Sequence, residues 1–570
     1  MIEDVYEPLS RYQNEFKDRF AALTRAKFAD LTKRSGLDVE ANRRLVRQIH
    51  SLEQKAASAA GWKSFWGCLA FLAFLGAGVA GIAFCYLDTD PRRIYCLAGS
   101  VVGIVLGLLL ILPYRRTAGR LAEYQTKIRE AKARAWDQMK PLNRLYTWDI
   151  TTSLIQEAVP RLAFDPYFTA QRLADLRRLY GWSDAFNEGK SILFAQSGVI
   201  NGNPFLFGEY LDMNWGRKTY HGSLEISWTE WEEDEDGRSH RVTRYETLHA
   251  EVEKPIPVYT KKKLLIYGND AAPNLTFSRE PSGLVEEGGG LENWWRKRRR
   301  LKELEAFSRN LDDESQFTLM NNHEFETWFH TPNRNNEIEF RLLFTPIAQI
   351  QMLAVMKDRK IGYGDDFTFR KCEKINLLTS VHLDEATLDT SPAHFQDFDY
   401  ERARQTFQEF NERYFKDIYF SLAPLLAIPL YQQTRTHEDI WRGIAPKAPA
   451  SFWENEAAAN FHGAEHFAHP DCITENLLKT KVLSRTNGTS RVAVTAYGFR
   501  GEDRVDTVEV YGGDGSYHQV PVEWVEYLPV QQTREMFVSE GDSPTPDFAE
   551  AYRTAFKSAF RRSVYSYLVP

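Results

Sequence analysis

The chain has 570 residues, of which 43% are hydrophobic and 26% charged, and a globular chain of this length suggests roughly two to four domains. The net charge of -7 is modest, so the composition carries no nucleic-acid signature and no nucleic-acid partner is expected. Five scattered cysteines are too few for a disulfide framework, which favours a reducing compartment, and the charged N-terminal residues lack the apolar core of a secretory signal peptide.

Residues 1–62 are predicted to form N-terminal cytoplasmic helices. Apolar residues recur there at helical spacing, and "SGLD" at 35–38 interrupts the pattern, so a second helix is expected to run on into the next segment. The recurring apolar residues are Phe16, Phe20, Leu23, Phe28 and Leu31.

Residues 63–114 are predicted to form a transmembrane hairpin. Two stretches without a charge, 64–87 and 94–114, can each cross about 30 Å of hydrocarbon as a helix. Basic residues flank both outer ends, whereas the connection "DTDPRR" balances its arginines with aspartates. The positive-inside rule therefore places both termini in the cytoplasm. The flanking residues are Arg43, Arg44, Arg47, Lys55 and Lys63 on one side and Arg115, Arg116, Arg120, Lys127 and Arg129 on the other.

Small residues recur every four positions on one face of each predicted span. This spacing lets helices approach closely in lipid, where no hydrophobic effect drives their association. Two interpretations stay open: the ridges seal the hairpin, which is favoured, or surplus surface joins copies into a homo-oligomer. The residues are Ala73, Ala77 and Gly81 in the first span and Gly99, Gly103 and Gly107 in the second.

The middle of the chain is predicted to be a helical stalk followed by a cytoplasmic α+β domain. Residues 115–185 continue helically from the second span. In 186–395 the polarity alternates, with strands such as "SLEISWTEW", "RVTRYETLHAEVEK", "QFTLM" and "EIEFRLLFTP", the acidic turn "EEDEDG", and a helix over "PIAQIQMLAVMKD". The predicted fold class is therefore α+β.

Three shorter segments are predicted at the C-terminal end. Residues 396–470 form a helical segment whose apolar end, "FSLAPLLAIPLY", is too short for a third span. Residues 471–535 form a small all-β module with a "GGDG" turn, and residues 536–570 form an amphipathic helix.

The stretch "HGAEHFAHPDC" at 462–472 is the densest group of potential metal ligands. "SFWE" at 451–454 fits a capping box, so a helix is expected to begin there. On a helix His462 and His466 lie four apart on one face with Glu465 beside them, which is the H-x-x-E-H pattern of some zinc peptidases.

A structural zinc site on His466, His469 and Cys472 is the alternative metal hypothesis. Both ligand sets lack a further ligand at a recognisable spacing. The favoured interpretation is a polar helix end docked on the β module, without a cofactor.

Two other stretches are candidate ligand contacts. "GDD" at 364–366 is similar to a polymerase metal hairpin, but it lacks a partner carboxylate, so Asp365 and Asp366 are expected to be turn residues. "WWRKRRRLK" at 294–302 suits anionic lipid headgroups or a phosphate backbone, although a solvated helix face is favoured. The candidate contacts there are Trp294, Trp295, Arg296, Arg298, Arg299 and Arg300.

The layout and three stretches, "LIQEAVPRLAFDPYF", "SGVINGN" and "NHEFETWFHTPNRNNEIEFRLLFTP", resemble a bacterial membrane-hairpin family of unknown function. The resemblance covers about residues 120–385, and its motifs are strand patterns rather than catalytic signatures. It implies a location and an architecture, no enzymatic activity, and a LemA-like membrane protein as a partner. It transfers no functional residues.

The sequence thus favours a multi-pass protein of the bacterial inner membrane with a large cytoplasmic domain that acts by binding, as a scaffold or assembly subunit. Its expected partners are membrane lipids, further copies of itself and another membrane protein of the LemA-like type. The competing hypothesis is a membrane-tethered zinc hydrolase that uses the "HGAEH" stretch.

Overall fold

A computed structural model describes residues 7–86, 93–233, 239–284, 290–309, 317–434, 443–445 and 447–569. Helices and two antiparallel sheets make this a mixed α+β protein, which confirms the predicted class. The chain divides into two compact units. The hairpin unit comprises Ala21–Thr147 and Ser391–Asn411, and the sheet unit comprises Met1–Phe20, Trp148–Thr390 and Glu412–Pro570.

The α-helices vary in length from four to 51 residues. In chain order they are α1 (Pro8–Arg11), α2 (Lys17–Ser35), α3 (Val39–Tyr86), α4 (Arg93–Asn143), α5 (Ile150–Ala158), α6 (Ala170–Tyr180), α7 (Gly290–Arg309), α8 (His323–Phe329), α9 (Glu337–Leu343), α10 (Pro346–Lys357), α11 (Val381–Glu385), α12 (Tyr400–Leu426), α13 (Pro429–Gln433), α14 (Phe452–His462) and α15 (Pro546–Thr554).

The strands form a seven-stranded sheet in the order β1-β2-β3-β4-β7-β6-β5 and a five-stranded sheet in the order β11-β12-β10-β9-β8. They are β1 (Leu162–Phe164), β2 (Lys190–Ile200), β3 (Asn203–Glu233), β4 (Ser239–Gly268), β5 (Thr276–Arg279), β6 (Phe367–Cys372), β7 (Ile375–Ser380), β8 (Leu477–Thr486), β9 (Thr489–Tyr511), β10 (Tyr517–Glu540), β11 (Lys557–Arg561) and β12 (Val564–Leu568).

Helices α3 and α4 pack against each other along the hairpin unit. At about 1.5 Å per residue, their 48 and 51 residues give lengths of roughly 70 to 80 Å, more than twice the hydrocarbon thickness of a bilayer. Windows of 18 residues in the two helices reach mean hydropathies of 2.3 and 2.6. Both helices are therefore long and apolar enough to cross a membrane. The connection predicted between the spans, at 88–93, lies largely outside the described residues.

Beyond their apolar windows α3 and α4 continue as a polar two-helix stalk. Ile49 packs with Ala131 and Ala135, and all three are fully buried, because alanine lets the helices come close. Helix α4 ends at Asn143. Residues 148–185, which the sequence assigned to the stalk, fold instead into the sheet unit.

Helix α14 joins the cores of the two sheets. Trp453 and Ala457 pack among residues of the seven-stranded sheet, whereas Ala458 and Ala459 pack among residues of the five-stranded sheet. The alternation of one large ring with small alanines lets a helix fit between two closely placed sheets. Gly208 of β3 makes room for the ring, since a Cβ there would lie 2.9 Å from Trp453.

Two strand pairs extend beyond their sheets as long ribbons. β3 pairs with β4 out to Glu233 opposite Ser239, and β9 pairs with β10 out to Tyr511 opposite Tyr517. Alternating polarity gives each ribbon one apolar face, and the ribbons pack through these faces. The packed residues are Tyr220, Leu224, Ile226, Leu248, Ala250, Val252, Val508, Val510, Val520 and Val522. We call residues 213–233, 239–259, 500–511 and 517–528 the double ribbon.

Two predicted strands are wrong. "EIEFRLLFTP" forms helix α9, because Phe340, Leu343 and Phe344 recur at helical spacing and are fully buried. The Asn336 side chain caps this helix by accepting a hydrogen bond from the Glu339 N–H. Of "QFTLM", the described residues 317–320 are irregular.

The predicted C-terminal amphipathic helix over 536–570 is also wrong. Only α15 is helical there, and β11 and β12 follow as a hairpin that completes the five-stranded sheet. Arg562 and Ser563 form its turn with φ values of 48° and 61°, the left-handed conformation that two-residue hairpin turns require. Alternate burial in "VYSYL" marks a strand, whereas the apolar residues before it also fit a helix.

Candidate functional site

The two histidines of the "HGAEH" stretch, His462 and His466, do not share a helical face. α14 begins at Phe452, directly after Ser451, whose hydroxyl accepts from the Glu454 N–H as predicted, but the helix ends at His462. Gly463 then takes a φ of 105°, and a short 3-10 turn carries His466. The predicted arrangement of a zinc peptidase is therefore wrong, because the chain leaves the helix between the two ligands.

His462 is a buried core side chain. It is 1% exposed, and its Nε2 lies 2.9 Å from the Ser566 hydroxyl of β12. Burial, and then the nearby Lys557 ammonium, lower the pKa of His462 to about 4, so the ring is neutral near pH 7. The helix end is thus docked on the five-stranded sheet.

The other predicted ligands each contact protein atoms and do not converge on one point. The Lys557 ammonium donates to His466 Nε2 at 2.9 Å and to the His462 carbonyl, which places a cation at the ring nitrogen that a metal would need. Glu465 is 74% exposed, His469 Nδ1 accepts from the Asp471 N–H, and Cys472 contacts Thr474 and Asn476. Among the residues that the structure describes, no group of three or more His, Cys, Asp or Glu side chains is placed to hold a metal ion.

The small-residue ridges lie between α3 and α4. A Cβ at Gly103 would come 2.9 Å from the Ala77 Cβ, and one at Gly107 would come 2.7 Å from the Phe74 ring. Gly81 faces the Ser100 hydroxyl at 3.5 Å, and Gly99 faces the Ala80 Cβ at 3.8 Å by the same measure. These contacts use the ridges inside the hairpin, the first of the two interpretations.

The basic stretch lies on α7. Arg300 donates to the Thr327 carbonyl at 3.3 Å, and Lys297 lies over the Trp328 ring at 5.3 Å, so one side of α7 rests on α8. The predicted contacts Trp295, Arg296, Arg298 and Arg299 are exposed. The side chain of Trp294 lies outside the described residues.

A buried Asp-His-Ser arrangement is the polar cluster that sequence reasoning missed. His382 Nδ1 lies 2.6 Å from Asp366 Oδ2, and its Nε2 lies 3.0 Å from the Ser421 hydroxyl. The Tyr363 ring stacks on the imidazole with 4.2 Å between the ring centroids. The Tyr363 hydroxyl donates a hydrogen bond to the Asp417 carboxylate. No short motif could reveal it, because these residues come from a loop, a helix start and α12.

This cluster joins the loop before β6, the start of α11 and helix α12. The Ser421 hydroxyl also lies 2.8 Å from the Asp417 carbonyl within its own helix, so its single proton can serve either that carbonyl or His382 Nε2. In a catalytic triad the serine gives its proton to the imidazole, and here the Asp417 carbonyl competes for that proton. Asp365 likewise binds the fully buried Arg279, so neither aspartate of "GDD" is a simple turn residue.

The double ribbon extends beyond the part of each sheet that pairs with further strands. From the end of the β2 pairing at Asp212 to Glu233, 21 steps of about 3.3 Å give an arm of roughly 70 Å. A Cβ at Gly222 would clash with the Pro521 carbonyl, and Lys254 Nζ lies 2.5 Å from Asp506 Oδ2 across the ribbons. The two ribbons are therefore in close contact at Gly222 and at Lys254.

Large side chains are exposed near the outer end of the double ribbon. Period-two alternation turns Trp231 and Tyr245 away from the second ribbon, and Tyr511 and Tyr517 away from the first. Their exposed fractions are 74%, 80%, 61% and 72%. Among the described residues, the outer edges of these segments pair with no further strand.

No protein-family model, curated protein or solved structure matches this chain.

The double ribbon had a partial sequence signal. The alternation in "SLEISW" and "RVTRYETLHAEVEK" predicted a hairpin, and the two stretches are paired antiparallel strands in the structure. Of its acidic turn "EEDEDG", at 232–237, the first two residues end β3 and the other four lie outside the described residues. The partner ribbon was predicted only as part of a separate β module, because face-to-face packing between distant hairpins leaves no local signature.

Proposed function

We propose that this chain is a membrane-anchored scaffold or assembly protein that acts by binding other proteins through the double ribbon. The proposal is supported by one observation above all. A β3–β4 ribbon of roughly 70 Å, supported over part of its length by the second ribbon, carries exposed aromatic rings and open strand edges, and such features suit docking of another protein.

Stability alone does not account for the arm. Its inner faces bury valines, a leucine and an alanine, whereas its outer faces carry charged residues and exposed tyrosines. A two-stranded ribbon is marginal alone, and pairing two ribbons makes the arm stable enough to present a fixed surface. Aromatic side chains offer a large contact area at low entropic cost.

We propose a location in the bacterial inner membrane, with α3 and α4 as the two spans and both termini cytoplasmic. The support is the apolarity of both helices and the basic residues on their outer flanks. The partners are proposed to be further copies of this chain and, from the family resemblance alone, a LemA-like membrane protein. Because both small-residue ridges are used inside the hairpin, self-association is assigned to the double ribbon.

The test removes the distal arm while keeping strand register. Thr219 pairs with Glu253, and Val505 pairs with Glu523, so residues 220–252 and 506–522 are each replaced by an Asn-Gly turn. The full chain and this variant are cross-linked in membranes and analysed by native mass spectrometry from detergent. The matched control, Val381→Thr, changes an exposed residue outside the double ribbon.

The shortened protein is expected to insert and melt like the parent but to lose its higher-mass species and cross-linked proteins. An unchanged oligomer number together with an unchanged set of cross-linked proteins would overturn the proposal. If the variant fails to insert, the point variants Trp231→Ala and Tyr245→Ala give the same comparison, since both side chains are exposed.

A further inference from the structure

The sheet unit carries an apolar surface on α9 and α10 that its own core does not use. The opposite faces of these helices are fully buried, for example at Phe340, Phe344 and Met352. Large aliphatic side chains nevertheless point outward: Ile338, Leu342, Ile347 and Ile350 are 80%, 54%, 56% and 60% exposed. A contiguous apolar patch on helices marks an interaction site more often than a solvated surface.

These two helices lie on the surface rather than spanning a membrane. Together they are as apolar as a membrane span, but they are bent by 71° and their other side lies in the core. Their outward face therefore has the character of a helix surface that lies at an interface between water and an apolar phase. Helices with one apolar face behave in this way at the surface of a bilayer.

The basic helix α7 borders the same surface. A shallow cavity of about 380 Å³ lies between residues 320–322 and the exposed face of α9 and α10, with Arg341 and Ile350 in its wall. A second cavity lies between α7 and α8, with Arg298 and Glu324 in its wall. Residues 320–322 border the first cavity and the next two residues, 323–324, border the second, so consecutive residues connect the apolar part of the surface to the basic part.

The charge of α7 indicates what covers this surface. The helix contains seven basic and three acidic residues, and Arg299, Lys302 and the ring of Trp295 are exposed. Cations beside an exposed tryptophan and aliphatic side chains match anionic headgroups above acyl chains. A protein partner would have to supply an acidic edge and an apolar centre at once, whereas an anionic bilayer supplies both everywhere.

We infer that α7, α9 and α10 form a peripheral binding face for anionic phospholipid bilayers, with aliphatic side chains in the acyl boundary and basic side chains at the headgroups. This face adds a second, reversible contact with lipid to that of the two apolar helices. It does not depend on what the double ribbon binds.

The test measures the surroundings of one side chain in the full-length protein. The five native cysteines are replaced by serine, and Ile347→Cys carries a nitroxide spin label. The protein is reconstituted into liposomes of phosphatidylcholine with or without phosphatidylglycerol. Collision with oxygen, which concentrates in acyl chains, is compared with collision with a water-soluble nickel chelate. Val381→Cys, outside both the double ribbon and this face, is the matched control, because Val381 is 58% exposed and Ile347 56%.

With phosphatidylglycerol, the label at position 347 is expected to collide readily with oxygen and poorly with nickel, whereas the control label reports water. Arg299→Glu with Lys302→Glu is expected to return the label at 347 to the water pattern. Access of nickel in the parent would overturn the inference, and so would exclusion of both reagents, which would show a protein surface on the patch. If the charge-reversed variant keeps the bilayer pattern, the assigned role of α7 is wrong. These results are independent of the arm-shortening experiment.

Discussion

Replacing Gly103 by alanine tests whether the small-residue ridge seals the hairpin of α3 and α4. An alanine Cβ there would lie 2.9 Å from the Ala77 Cβ and 3.0 Å from the Ala73 carbonyl oxygen. Carbon atoms in good contact are about 3.5–4.0 Å apart, so α3 and α4 must separate by roughly 0.6–1.1 Å. Overpacking of this kind costs about 1–3 kcal/mol. The equilibrium constant for closing the hairpin should fall about five- to 150-fold.

Two other glycines provide a graded comparison. At Gly107 the new methyl group would meet the end of the Phe74 ring at 2.7 Å, and this ring can turn away, so Gly107→Ala should cost less. Gly76 has no atom within 4 Å of the corresponding position, so Gly76→Ala should leave closure unchanged.

Disulfide formation measures closure directly. A Cβ at Gly99 would lie 3.8 Å from the Ala80 Cβ, within the range of about 3.5–4.5 Å that a disulfide needs. In a background without the native cysteines, Ala80→Cys with Gly99→Cys should oxidise fastest with Gly76→Ala, more slowly with Gly107→Ala and slowest with Gly103→Ala. The product should be a monomer on a non-reducing gel. Equal rates for Gly103→Ala and Gly76→Ala, or a disulfide-linked dimer as the main product, would refute the sealing role.

Three further predictions concern the sheet unit. Because burial lowers the pKa of His462 to about 4, only the unfolded chain gains its proton between pH 6.5 and 4, so stability should fall by about 3 kcal/mol across that window and His462→Gln should flatten the change in thermal melts. Burial raises the pKa of Glu456 to about 7, so its carboxyl costs stability as pH rises from 4.5 to 7, and Glu456→Gln should raise the melting temperature more at pH 8 than at pH 5. Trp453→Ala should lower the free energy of unfolding by about 3–5 kcal/mol in denaturant titrations.

For each of these predictions, one experimental result would contradict it. An identical pH profile in His462→Gln would mean that the ring does not carry the acid sensitivity. A larger gain for Glu456→Gln at pH 5 than at pH 8 would mean that the carboxylate is stabilised as the anion by Lys479, 3.5 Å away. Trp231→Ala is the control for Trp453→Ala, since Trp231 is 74% exposed, and its effect should stay within about 0.5 kcal/mol.

Sequence patterns correctly predicted the elements that short-range interactions stabilise, such as a helix cap, an amphipathic helix and an alternating strand. The capping hydroxyl of Ser451, the helix over "PIAQIQMLAVMKD" and the alternating strands of the first ribbon all appear where the sequence indicates. Residues 337–343 were assigned wrongly because "EIEFRLLF" satisfies both the strand and the helix period over so short a stretch. The burial of both Phe340 and Leu343 separates the two periods, because residues three apart share a face in a helix but lie on opposite faces of a strand.

By itself, the sequence determined the two long apolar helices, the small-residue ridges and the polarity of the ribbon strands. Each depends on the composition of one continuous segment meeting one solvent, lipid or water. The tertiary structure alone decided that His462 is a buried core residue, that Asp366, His382 and Ser421 meet, and that the ribbons pair face to face. The physical reason is that these contacts join residues far apart in the chain, and their energy appears only when the intervening segments have folded.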